Sequence, residues 1–411
     1  MKILIFHQFY TSLNEAGISR FNIFADYWRK NGAEVWVITG DVNYMTGKKT
    51  QSNNWKIFTK EIDNSGLNII RATSFSFGFS YRSFIGRLFS YFSFTLTSFL
   101  AGFFIPWPDV IIASTPPIFL GVSGWLLSFL RRVPFVYEMR DIWPDETIEL
   151  GVIKNKLAIN LSYKLEKFLY ENSSLVMVNS PGVKEFLIKE KDVPAVKIGV
   201  VVNPIYQNLS KEKFSLREQF DLKNKLLVVY TGSHSMVYDF DSLLDAAIIL
   251  KDNPRIVFVL IGDGRQKASI ERRIKEEKIE NVISLPAMAK DRIPTILAEA
   301  DICIASLKNM RLLRYIYATK IFDYMLAAKP IVLAMDGVSA ELVCDSAKAG
   351  ACLKPGDSHG LAEAIKLLSQ SVLKRKSLGT KGLKFVQNYA DPEKLALEYL
   401  KLLKPIIVPK R

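Results

Sequence analysis

At 411 residues the chain exceeds what one hydrophobic core usually supports, so two domains are expected. The net charge of +14 is concentrated at 366–411, where eleven Lys or Arg face three acids; this points to an anionic partner, and no reading motif for nucleic acid accompanies it. Cys303, Cys344 and Cys352 are widely spaced, with no CxxC or Cys/His cluster, which argues against structural zinc and a disulfide framework and predicts buried free thiols in a reducing compartment.

Strand and helix patterns alternate along the first half. Residues 2–6 read as a strand, too short an apolar run for a signal peptide, followed by an amphipathic helix at 18–30 and a strand at 34–39. Gly17, between the first strand and that helix, lets a ligand approach the backbone, and Arg20 stands one turn further on. Residues 88–107 carry no charge and meet the length of a membrane span. Their aromatics and the flanking Arg82 and Arg87 also suit a helix lying on a membrane surface, and a buried helix is the third reading.

Short buried strands are predicted at 109–113, 134–137 and 175–179, with a helix at 158–171. The strand at 134–137 runs straight into YEMRDIWPDE, which places Glu138, Arg140, Asp141 and Asp145 at its C-terminal mouth. Charges at a buried strand end are either paired or used, so Glu138 and Asp141 are candidate catalytic groups and Arg140 and Asp145 candidate acceptor-side groups. After Asn203-Pro204, the polar stretch 206–225 reads as a linker.

The alternation restarts with strands at 226–231, 256–261, 282–285, 301–305, 330–334 and 350–353, and helices at 241–252, 292–300, 320–328 and 359–369. Two such runs predict two doubly wound parallel α/β sheets, 1–205 and 226–385, with ligands at the carboxyl ends of the strands and a cleft between the domains. Gly232 closes the first strand of the second run, and Arg265 follows the Gly262-Asp263-Gly264 turn. Asp239-Phe240-Asp241 has the form of a metal-chelating DxD but precedes a helix, where Asp is a favoured cap, so no metal is assigned.

The segment TKIFDYMLAAKP is the most informative. Thr319 is expected to cap a helix whose N-terminus, with Lys320, forms an anion site, while Asp323 one turn on accepts the hydroxyls of a ribose. Arg311 and Arg314 lead into it as further diphosphate ligands. A phosphate site and a diol acceptor one turn apart suit a sugar nucleotide.

PFVYEMRDIWP (134–144), VLIGDG (259–264), KIFDYMLAAKP (320–330) and GACLKPGD (350–357) occur in an order that resembles the retaining GT-B glycosyltransferases of the family-4 type, notably the WbuB-like bacterial surface-polysaccharide transferases. The resemblance implies two Rossmann-like domains facing a central cleft, with a helix at about 386–404 packing back on the first. It also implies transfer, with retention and without a metal or other cofactor, from a UDP-sugar to a lipid-linked saccharide in O-antigen, capsule or exopolysaccharide assembly. An N-acetylated amino or deoxy-amino sugar such as N-acetyl-fucosamine is the expected donor sugar. The expected place is the cytoplasmic face of the plasma membrane, peripherally bound to its anionic surface. The family's paired acids correspond to Tyr315 and Asp323, so the first is lost, and the Arg and Lys usual after the first strand of the second domain are absent from GSHSMVYDF. A GT-B-shaped nucleotide-sugar epimerase and a non-catalytic two-domain binding protein are the alternatives.

Overall fold

The computed structural model describes residues 1–10, 20–42, 57–63, 66–75, 83–206 and 214–407. It divides into two compact units, one formed by Met1–Pro204 with Pro392–Arg411 and the other by Ile205–Asp391.

In the first unit the strands are β1 (Lys2–Phe6), β2 (Glu34–Gly40), β3 (Phe58–Ile62), β4 (Asn68–Ala72), β5 (Val110–Thr115), β6 (Phe135–Met139), β7 (Leu175–Val178) and β8 (Ile198–Val200). They form one sheet in the order β3-β4-β2-β1-β5-β6-β7-β8, parallel throughout except for β3 against β4. The central strands are apolar on both faces because helices cover both sides of a parallel sheet; all six residues of β5 are buried. The intervening helices are α1 (Arg20–Lys30), α2 (Phe84–Ala101), α3 (Leu120–Arg131), α4 (Asp145–Glu149), α5 (Lys156–Asn172) and α6 (Pro181–Lys191).

In the second unit β9 (Leu226–Thr231), β10 (Ile256–Ile261), β11 (Val282–Leu285), β12 (Ile302–Ser306), β13 (Ile331–Ala334) and β14 (Gly350–Leu353) form an all-parallel sheet. Its order, β11-β10-β9-β12-β13-β14, is the 3-2-1-4-5-6 arrangement of a doubly wound nucleotide-binding fold. The helices are α7 (Leu216–Gln219), α8 (Phe240–Ile249), α9 (Lys267–Glu276), α10 (Ile293–Glu299), α11 (Lys320–Leu326), α12 (Val338–Ala340), α13 (Ser358–Ser369) and α14 (Val372–Tyr389). Two parallel-sheet α/β units are what the alternation predicts.

Several boundaries differ from expectation. The stretch read as a linker contributes α7, whose Leu216 is fully buried and whose Arg217 pairs with Asp301 at 2.7 Å, so it is part of the second unit. That unit also continues past 385: α14 runs to Tyr389, with Gly379 against the Ala328 carbonyl, where a β-carbon would come within 1.9 Å. Only α15 (Pro392–Leu403) returns to the first unit. It lies on α1, where Trp28 donates to the Ala396 carbonyl at 2.8 Å and its ring centroid is 5.1 Å from that of Tyr399. The cysteine expectation is also corrected. Cys344 and Cys352 are disulfide-bonded, because a helical turn at Glu341–Ser346 and β14 bring their Cα atoms to 6.2 Å; Cys303 alone is a buried free thiol.

The uncharged segment 88–107 is mostly α2, and among the described residues no helix is long and apolar enough to cross a membrane. One face of α2 is buried at Phe94, Ser98 and Ala101, with Thr97 donating to the Thr73 carbonyl and Ser98 to the Thr95 carbonyl. The other face exposes Phe89, Phe92, Leu96 and Leu100, and the chain beyond it exposes Phe103, Phe104 and Trp107. The helix is therefore neither wholly buried nor a span.

Candidate nucleotide and acceptor sites

In the first unit, the strand ends that carry the predicted charges are β1, β5 and β6. Glu138 is the last but one residue of β6 and is fully buried. Tyr399 donates to its Oε2 at 2.7 Å, and the Arg20 Nε lies 3.7 Å from Oε1. Burial pushes the Glu138 carboxyl up, against the opposing pull of Arg20 and the Tyr399 hydroxyl. Arg20 donates to the Val201 carbonyl at 2.6 Å and lies over the Phe24 ring. Glu138, expected as a catalytic group, thus lies inside the core with Tyr399 and Arg20 as its partners, and Arg20 is itself a core residue.

Arg140 donates to Nε2 of the buried His7 at 3.1 Å, so that nitrogen is the acceptor. Burial and the Arg140 charge hold the His7 pKa well below its usual value, leaving the ring neutral. Asn179 fixes the Arg140 carbonyl at 3.0 Å. Asp141, the other catalytic candidate, is exposed beside Arg140. Burial, then Asp141 and Glu149, push the Glu146 carboxyl up to about 7, a titrating group that the sequence pattern did not single out. Asp145 is engaged elsewhere in the unit: Lys191 lies 2.6 Å from its carboxylate and 2.8 Å from that of Glu166, Tyr163 donates to it, and it lines a cavity of about 780 Å³ with Tyr163, Glu166 and Lys191. Gly17 lies outside the described residues.

In the second unit, the ends of β9, β10 and β12 gather the rest. Gly232 is exposed at the end of β9 with φ of +129°, a conformation that demands glycine. His234 follows, fully buried, under Gly262 and Gly264 of the next turn; a β-carbon at Gly262 would come within 1.8 Å of the Gly232 carbonyl oxygen. Arg265 is exposed just beyond. Burial, then Lys267 and Lys320, lower the His234 pKa to about 4, so this imidazole is uncharged.

The segment 319–330 departs from its expected geometry. Thr319 has helical dihedrals of −52° and −28°, and its hydroxyl makes no cap, because a capping side chain needs an extended backbone. The Lys320 side chain turns inward. It is 6 % exposed, and its Nζ lies 3.6 Å from the centroids of both Tyr230 and Tyr238. Asp323 faces out from α11 and pairs with Lys290, thirty-three positions earlier and not anticipated from the sequence. Arg311 and Arg314, in a short helix at Arg311–Tyr315, are exposed and line a cavity of about 250 Å³ with Lys308 and Asp336. That turn rests on Gly337 and on Ser339, whose hydroxyl accepts from Ala318 N and donates to the Ile316 carbonyl, each at 3.0 Å. Asp323, Lys290, Lys320 and Gly232 therefore belong to one strand-end region, with the two arginines at the ends of β12 and β13.

The DxD carboxylates are both engaged. Asp239 caps α8 by accepting from Ser242 N at 3.1 Å, and Asp241 accepts from Arg273 at 3.2 Å.

Known proteins match both units. The Glycosyl transferase 4-like domain family matches residues 25–204, and the family Glycosyl transferases group 1 matches residues 212–385. WcaI of Escherichia coli (strain K12), named as a colanic acid biosynthesis glycosyl transferase, is 26% identical over 205 residues, 47% of this chain and 49% of that protein. The glycosyltransferase WbjE of Pseudomonas aeruginosa is 24% identical over 266 residues, 62% of this chain and 65% of its own length. The chain thus spans about half to two thirds of the length of the curated relatives it matches. Among solved structures, Anabaena Alr3699/HepE in complex with UDP and glucose superposes with a TM-score of 0.72 over 98% of this chain and 99% of that one, at 20% identity. With both halves matched and the two-sheet fold shared, the chain belongs to the GT-B glycosyltransferases of the family-4 type.

Proposed function

We propose that this protein transfers a sugar from a nucleotide-activated donor, a UDP-sugar, to a hydroxyl of a lipid-linked saccharide in surface-polysaccharide assembly, with retention and without a metal. The observation that carries the donor half is Asp323 on α11, a carboxylate at the strand ends with a buried lysine at the start of the same helix. A ribose diol suits Asp323, with Lys290 beside it, and the diphosphate suits Lys320, Arg311 and Arg314. UDP and glucose bound to HepE, which shares the fold, support the same donor class. Metal-independence is supported by the engagement of Asp239 and Asp241 with Ser242 and Arg273. Asp141, with Arg140 and Glu146 near it, is the group proposed to orient the acceptor. No base is needed to strip its proton if the departing diphosphate accepts it, so catalysis rests on positioning and on charge placed for the leaving group.

An N-acetylated amino or deoxy-amino sugar such as N-acetyl-fucosamine is the proposed sugar. Peripheral attachment to the cytoplasmic membrane face is supported by the exposed apolar side of α2, which an interfacial helix would bury in lipid. The test is a screen of purified protein against UDP-, GDP- and dTDP-sugars with membranes carrying lipid-linked saccharides. Sugar incorporation identifies the donor; a protein that neither binds nor hydrolyses any donor ends the reading.

A further inference from the structure

The lysine at the head of α11 is in an unusual state for a charged side chain at a helix terminus. Its Nζ is buried and has no hydrogen-bond acceptor among the described residues. Two tyrosine faces, Tyr230 from β9 and Tyr238 from the following loop, enclose it at 3.6 Å each. An amine held this way has a partial electrostatic partner in the rings but none of the acceptors an ammonium takes in water.

One side of this enclosure is open in a particular way. Gly232 is exposed, and a β-carbon built on it would stand 3.2 Å from the Lys320 Nζ. An oxygen atom in that place would therefore be at hydrogen-bonding distance from the amine. The turn that holds Gly232 is kept thin by Gly262, so the gap is built by two glycines on adjacent strands. We propose that Lys320 receives a phosphate oxygen of the donor through the gap beside Gly232, and that its amine takes a proton from solvent when that oxygen arrives. This rests on the nucleotide-sugar reading and supplies the cation that the turn after β9 lacks.

The groups facing Lys320 allow such a change. On its own helix Asp323 favours the charged form, but burial outweighs it and holds the pKa well below that of an ordinary lysine. From β9 and its loop come Tyr230, whose phenol burial keeps neutral, the ring of Tyr238, and His234, also neutral, whose charged form Lys267 disfavours and Asp263 favours. No carboxylate from these strand-end turns pairs with the amine, so a phosphate is the missing counter-charge.

The experiment is calorimetric titration of the full chain with UDP at several pH values, in buffers of different ionisation enthalpy; net proton uptake should accompany UDP binding. Lys320→Met should abolish the uptake and weaken UDP by roughly tenfold or more. UDP binding with no uptake by the unaltered protein overturns the inference and leaves the donor reading standing. Uptake that survives Lys320→Met, as it would if His234 were the group charged, also overturns it. Failure of UDP, GDP and dTDP alike to bind removes the donor reading and this inference with it.

Discussion

Glu138→Gln separates a structural carboxylate from a catalytic one. The carboxylate is fully buried, its ion-pair partner Arg20 is almost as buried, and 3.7 Å separates them. At that distance the attraction is about 4 kcal/mol with an effective dielectric of ~20. Glutamine preserves the shape and can still accept from Tyr399, but it leaves the guanidinium uncompensated in the core. Removing one partner of a buried pair costs about 3–5 kcal/mol, and that is the expected loss for the first unit. Tyr399→Phe, which deletes only the 2.7 Å hydrogen bond, should cost about 1.5–3 kcal/mol. All six tryptophans precede residue 205, so urea unfolding followed by tryptophan fluorescence reports the first unit. UDP binding serves as the internal control and should persist. The double variant Arg20→Met with Glu138→Met should recover part of the loss, since it leaves no orphaned charge. If Glu138→Gln is as stable as the parent yet abolishes sugar transfer, the pairing argument is wrong and Glu138 returns to the chemistry.

Other outcomes follow from the second unit and from α2. Asp323→Ala should weaken UDP by roughly tenfold or more while the unfolding transition is kept; unchanged affinity would remove the carboxylate from the site. His234, with its pKa lowered to about 4, is neutral in the folded protein where an unfolded histidine would bind a proton below about 6.5. Stability should therefore fall as pH drops from about 6.5 to 4, by roughly 3 kcal/mol, and His234→Gln should flatten that slope in denaturant titrations. Reduction of the Cys344–Cys352 bond, which spans eight positions, should lower the stability of the second unit by about 2–3 kcal/mol, and Cys352→Ser should make the protein indifferent to reductant. Leu96→Glu on the exposed side of α2 should reduce co-sedimentation with anionic vesicles by roughly tenfold without altering UDP affinity; equal sedimentation would discard that face as the lipid contact.

Local pattern and long-range pairing explain what could be read in advance. Strands such as IVFVLI and IVLA are buried on both faces, so they appear as unbroken apolar runs, and their alternation with helices exposes the two-sheet architecture. The edge strand FTKEI is half exposed and polar, so β3 has no such signature, and the lysines and glycines of α14 concealed a helix. YEMRDIWPDE reads as charge at a buried strand end, and Glu138 stands buried there on β6. Which partner each charge takes depends on elements far away: Tyr399 lies 261 positions from Glu138, and Lys191 lies 46 from Asp145. The same holds for Asp323 with Lys290 and for Lys320 between Tyr230 and Tyr238. A helical segment announces its apolar stripe, but not which way a long terminal side chain will turn.

The return of α15 to α1 has a consequence for synthesis. Phe21, Phe24 and Trp28 form an aromatic cluster that Tyr399 completes, and Glu138 keeps its hydrogen bond only when that tyrosine is present. The whole second unit is encoded between Pro204 and Pro392. A ribosome therefore finishes and can release the inserted unit before it supplies the piece that closes the earlier one. During that interval the apolar face of α1 is open, which makes the nascent first unit the natural client of a holding chaperone and the last part of the molecule to become resistant to proteolysis.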